Sequence, residues 1–143
     1  MKFITSNQTW NRGITAVQNA VGSAISNPIV ENIHISCDEG KIWFLATNLN
    51  LTIQCEGEAN VEEKGEIVLP SKVIINVVRD LPQGDVQFEA ESENVKLSSG
   101  EFFAKLKGQP GELFPPFVIL EEGEDIQLDI RTLKDMIRKT IFA

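Results

Sequence analysis

Histidine occurs once in this sequence, at His34, and cysteine twice, at Cys37 and Cys55. A lone histidine in strand-like, alternating text supports no Ser/His/Asp set, and it reads as a satisfied or solvent-facing strand residue. No HxxxH pair or cysteine cluster offers zinc a site. The cysteines lack CxxC spacing and read as free thiols of a reducing compartment. A phosphate-cradling GxxxxGK[ST] loop is also missing, which excludes ATP use by this stretch. The pairs Glu62-Glu63 and Glu121-Glu122 fall in loop text and read as solvated acids rather than a glycosidase dyad. There is no charged-then-apolar leader, and no apolar run of about 18 residues that could span a membrane. These absences predict a soluble cytoplasmic protein with no catalytic residue, no metal and no cofactor. It is expected to work by binding.

What is present suits one compact domain and little more. The 143 residues are 42% apolar and 24% charged, ordinary values for a globular chain with a sizeable core. Acids outnumber cations by 21 to 13, for a net charge of −8. Spread evenly, that charge would argue against nucleic acid.

The tract 69–84, LPSKVIINVVRDLPQG, is the clearest element. Pro70 suits a helix start, and Pro82 and Gly84 mark its end. Val73, Ile74, Val77, Val78 and Leu81 form a broad apolar face, with Lys72, Asn76 and Arg79 opposite. Upstream, Met1–Thr5 reads as a strand, and Ser6 and Asn7 as helix caps. A helix follows from Gln8 to about Gly22, with Trp10, Ile14, Val17 and Val21 on one face and Arg12, Thr15 and Asn19 on the other; Gly13 is a weak point in it. Residues 22–28 form a loop. Strands follow around Ile33–Cys37, Ile42–Ala46 and Leu51–Cys55, the first two joined by the turn Asp38-Glu39-Gly40. A polar, acidic stretch, EGEANVEEKGE, then leads to strand Glu66–Leu69. After the helix, strands are expected at Val86–Ala90, Val95–Ser99 and Phe102–Lys107. Residues 108–125, with three of the six prolines, read as an extended acidic connector. A strand Ile126–Ile130 and a helix Arg131–Ala143 close the chain. That helix is expected to bury Leu133, Met136, Ile137 and Ile141, and the chain stops in its middle as if cut.

The elements repeat. A shift of 123 places Phe3, Trp10 and Ile14 on Ile126, Leu133 and Ile137. A shift of 53 places Ile33, Ile35, Ile42 and Phe44 on Val86, Phe88, Val95 and Leu97. Residues 1–64 and 65–107 thus read as two β-α-β-β(-β) units, and 126 opens a third. The fold class is α+β.

Charge follows the same division. The helical windows 8–22, 71–81 and 131–143 hold seven cations (Arg12, Lys72, Arg79, Arg131, Lys134, Arg138 and Lys139) and only two acids, Asp80 and Asp135. The rest of the chain holds six cations and nineteen acids. Lys and Arg propagate helices well, but so does Glu, and none of the windows contains one. Basic helices on an acidic body would attract phosphates and repel nonspecific nucleic acid elsewhere. No base-reading motif accompanies them, so the expected DNA binding is sequence-blind.

In order and spacing, several stretches resemble the bacterial sliding clamp, the beta subunit of DNA polymerase III. They are MKF at the start, NPIVENIHI with the hairpin DEGKIWFLATNLNL, LPSKVIINVVRDLPQG, VKLSSGEFFAKL, the ELFPPF connector, and IRTLKDMIRKTIFA. The resemblance implies a DNA-clamp fold with two such units per domain, antiparallel sheets outside and helices lining the inner face. It implies a non-catalytic processivity factor, a head-to-tail ring homodimer around duplex DNA that tethers the replicative DNA polymerase, with polymerase and clamp loader bound through later domains. Residues 1–125 would be the first clamp domain with its connector (108–125), and 126–143 the start of a truncated second. Lys72, Arg79 and Arg12 match basic positions facing the DNA, and Arg131, Lys134 and Arg138 join them as helix cations. Edge strand Phe102, Phe103, Ala104, Lys105, Leu106 and Lys107, with Val73 and Val77, matches the ring interface. Three departures stand out: Ala24 where the family presents a loop arginine to DNA, Asn48 in place of an acid, and Glu101-Phe102 where basic and small residues are common. The competing reading is an acidic β-rich adaptor that does not encircle DNA.

Overall fold

The computed structural model describes residues 1–23, 27–116 and 127–142. Strand β1 (Lys2–Ser6) runs into helix α1 (Asn7–Val17), where Ser6 caps the helix by accepting the Thr9 amide. The helix is shorter than its periodicity predicts. It tightens into a 3-10 turn at Gln18–Ala20, and Val21 lies beyond it, only partly buried. Strands β2 (Asn32–Asp38), β3 (Lys41–Thr47) and β4 (Thr52–Glu58) follow as an antiparallel run. Glu39 and Gly40 both take positive φ in the β2–β3 turn, the twist a tight hairpin needs.

The acidic stretch after Cys55 is not a connector. It completes β4 and forms β5 (Asn60–Glu63), which pairs with β1. Glu62 and Glu63 are therefore strand residues, countered by Lys2 and the N-terminal ammonium. Alternation of apolar residues does not reveal β5, because it is an exposed edge carrying charge.

The second unit repeats the first: β6 (Gly65–Pro70), α2 (Ser71–Asp80), β7 (Asp85–Glu91), β8 (Asn94–Ser99), β9 (Phe102–Lys107) and the two-residue β10 (Gln109–Pro110). The strands make two five-stranded sheets, β5-β1-β7-β8-β9 and β10-β6-β2-β3-β4. The orders are superimposable, with β6 in the place of β1 and β2 in the place of β7. Each unit's first strand lies in the sheet built mainly by the other unit. Phe3 opposite Phe88 in one sheet corresponds to Ile67 opposite Ile35 in the other.

The inner faces of both sheets and the apolar faces of α1 and α2 share one core. Phe3, Trp10, Phe44 and Phe88 are fully buried there, with Phe3 stacked on Phe88 at 4.9 Å between centroids and Trp10 edge-on to Phe44 at 5.3 Å.

The described part of the connector, residues 108–116, is docked rather than extended: Gln109 and Pro110 pair with β6, and Phe114 is buried against Leu45 and Val68. Residues 117–126, and with them the expected start of a strand, lie outside the described residues. Gln127–Asp129 are not strand. Asp129 instead caps helix α3 (Ile130–Thr140), its carboxylate accepting the Thr132 amide at 3.0 Å. A strand exists only through its ladder, and no described residue pairs with this segment. Leu133, Met136, Ile137 and Ile141, predicted to be buried, are 40 to 78% exposed. The pattern marks an amphipathic face correctly, but no described element covers it.

Candidate nucleic-acid and subunit interfaces

α1 and α2 pack side by side and run in opposite directions. The Asn7 amide, at the start of α1, donates to the Gly84 carbonyl at 2.9 Å, and Asn7 Nδ2 donates to the Leu81 carbonyl, also at 2.9 Å. At the other end, Val21–Ser23 and Pro70–Lys72 border one hollow. Trp10, Ile14 and Val17 point inward from α1, as do Ile74 and Val78 from α2. Arg12, Lys72 and Arg79 are all exposed on this pair.

Their surroundings differ. Arg12 donates to the Glu56 carbonyl on β4. The Glu56 carboxylate is itself bound by Lys41 at 2.9 Å and by the Trp43 indole N–H at 3.3 Å. The Lys41 bond, foremost, holds its carboxyl below the usual range. Lys72 and Arg79 enter no ion pair among the described residues. Arg79 lies in the last turn of α2, where a cation also suits the helix dipole. On α3, Arg131, Lys134 and Arg138 are exposed, as is every described residue of that helix. Ala24, where the loop arginine is missing, lies outside the described residues.

The expected ring-interface residues come from two elements. Among the described residues β9 is an edge strand, with β8 on one side only. Phe102, Ala104 and Leu106 face partly inward, and Phe103, Lys105 and Lys107 face solvent, with the Lys105 ammonium 5.6 Å from the Phe103 ring centre. On α2, Val73 is 43% exposed and Val77 half-buried.

The internal repeat explains why this seam is open. In the first unit α1 lies close along β4, whereas α2 makes its main approaches to β6, β2 and α1 rather than to β9. Two glycines permit the first arrangement. A Cβ on Gly13 would stand 2.2 Å from the Phe44 ring, and one on Gly57 would stand 2.3 Å from Thr9. Taking Trp10 with Ile74 and Ile14 with Val78, the position of Gly13 is filled in α2 by Val77. Gly57 lies opposite Ile42, and its counterpart opposite Val95 is Leu106. Two larger side chains thus hold α2 off β9 where two glycines let α1 settle. The sequence reading noted Gly13 only as a helix weakness and missed Gly57; aligning the two units residue by residue is the signal that finds both.

Among the described residues no group of His, Cys, Asp and Glu could hold a metal, and no helix is long and apolar enough to cross a membrane.

Known proteins resemble this chain in sequence and in fold. The family model "DNA polymerase III beta subunit, N-terminal domain" matches residues 1–119. Beta sliding clamps of Chlamydia muridarum and Synechococcus elongatus are 29% and 30% identical over the whole chain, which spans 39% of each. Among solved structures, a DNA polymerase III beta subunit described as putative, from Eubacterium rectale, superposes with a TM-score of 0.93 at 32% identity. It covers all of this chain and 40% of that one. The Bacillus subtilis polymerase sliding clamp gives 0.94 at 26%, with the same coverage. The chain thus spans about two-fifths of the relatives it matches. It belongs to the DNA polymerase III beta-subunit family, whose members are non-catalytic polymerase subunits, and carries that family's N-terminal domain.

Proposed function

We propose that this chain is the first part of a sliding clamp that encircles duplex DNA without reading its sequence and tethers the replicative DNA polymerase during DNA replication in the bacterial cytoplasm. The observation that carries this reading is the division of charge: cationic helices, with Lys72 and Arg79 free of ion pairs among the described residues, on an otherwise acidic chain. Cations held on a rigid helix pair meet phosphates at a fixed spacing and carry no base preference. Residues 1–125 form the first clamp domain with its connector, and 126–143 open the second. The seam of β9 with Val73 and Val77 is the head-to-tail contact with a second copy; a heterologous contact that closes gives a ring. Polymerase and clamp loader bind through later domains.

The test uses the full-length protein. A ring should dimerise, stay on circular duplex and leave cut ends. Lys72→Ala and Arg79→Ala should each weaken retention on all sequences alike and lower the salt slope by about one phosphate contact. Arg12→Ala should have the smaller effect, because the Arg12 guanidinium is already engaged by β4. Rings that fail to distinguish circular from linear duplex would overturn the proposal and leave the adaptor reading.

A further inference from the structure

β10 pairs with β6 over two residues only, Gln109 opposite Val68 and Pro110 opposite Ile67. So short a ladder is a weak hold by itself. Beside it stands a side-chain arrangement that neither DNA contact nor ring closure uses. Phe114 is 7% exposed and stacks on the ring of His34, 5.4 Å between centroids and 28° between planes. His34 Nε2 lies 2.9 Å from Glu66 Oε2; an ionised carboxylate only accepts, so the imidazole nitrogen donates. Glu66 in turn lies against the connector backbone, where a Cβ on Gly111 would stand 2.3 Å from its Cγ. His34 lies on β2, Glu66 on β6, and Gly111 and Phe114 on the connector. The chain's one histidine therefore sits under the docked part of the connector.

We propose that His34, Glu66, Gly111 and Phe114 form a latch that holds residues 109–114 of the connector to the outer face of the β2–β3–β6 sheet. The imidazole serves as a platform for the Phe114 ring, and the Glu66 carboxylate sets its plane. Gly111 is required because any side chain there displaces Glu66. The latch uses none of the helix cations and no residue of β9, and it rests on neither DNA binding nor ring closure.

Amide hydrogen exchange on the 143-residue chain tests it. Phe114→Ala, His34→Gln and Gly111→Ala should each speed exchange in Gln109–Phe114 at least tenfold while the amides of β2, β3 and β6 keep their protection. Phe114→Tyr, which keeps the ring, should restore the wild-type pattern. Unchanged exchange in all three variants would overturn the proposal, since the ladder alone would then hold the connector. Equal loosening across the sheet would also overturn it, by making Phe114 ordinary core. An effect of Phe114→Ala without one from His34→Gln or Gly111→Ala would do the same, by removing the imidazole and its support from the hold.

Discussion

Gly13 lies beneath the Phe44 ring in the middle of α1, a place where alanine would ordinarily strengthen a helix by up to about 1 kcal/mol. Here the sign reverses. The ring has no room to retreat within a close-packed aromatic cluster, so Gly13→Ala should lower stability by about 1–3 kcal/mol in urea unfolding. The two thiols give a second residue-scale expectation. Burial pushes the Cys37 thiol upward, while Cys55 is only partly covered. A thiol reagent at neutral pH should therefore modify Cys55 well before Cys37, and equal rates would show that the sheet opens locally. Residue identities of this kind were half legible. Trp10, Ile14 and Val17 announce themselves by helical spacing. The need for glycine at 13 depends on a ring 31 positions away, which periodicity does not register.

Elements were read well where an apolar face meets the core and poorly where it does not. α2 and the strands β2, β3, β7, β8 and β9 follow their alternation or period, whereas β5 is hidden by its acids; α3 is a helix where its period puts one, although no described element covers its apolar face. The cap of α3 is open to direct test. The Thr132 amide, foremost, and its hydroxyl hold the Asp129 carboxyl below the usual aspartate range. Because the folded value is depressed, the stabilisation is complete above the ordinary aspartate pKa and is lost as pH falls through the folded one. The Thr132 amide resonance should report a midpoint below that of a free aspartate, and Asp129→Asn should abolish the titration. On the proposed ring edge, Leu106→Glu should weaken dimerisation of the full-length protein at least tenfold, measured by sedimentation. A carboxylate in a half-buried apolar seam must be desolvated to dock. An unchanged dimer would remove β9 from the interface.

At the scale of the whole molecule, the two β-α-β-β units of residues 1–107 were legible from the shift of 53, and so was the separation of basic helices from acidic strands; of the third unit implied by the shift of 123, the described residues hold only the helix. The pairing of the strands was not. Nothing in the periodicity of Lys2–Ser6 says that its central partner is β7 rather than a neighbour in sequence, because alternation fixes a face and not a mate. That pairing has a consequence for how the protein is made. On the ribosome β1 emerges well before its partner, since the strand that Phe3 stacks against does not appear until Asp85–Glu91 has been synthesised. At rates of roughly 5–20 residues per second, the interval is on the order of 4–17 s. Throughout it the apolar face of β1 has no finished sheet to join. The first half of this domain therefore cannot complete its sheets as it leaves the exit tunnel, and only the synthesis of the second half lets it do so.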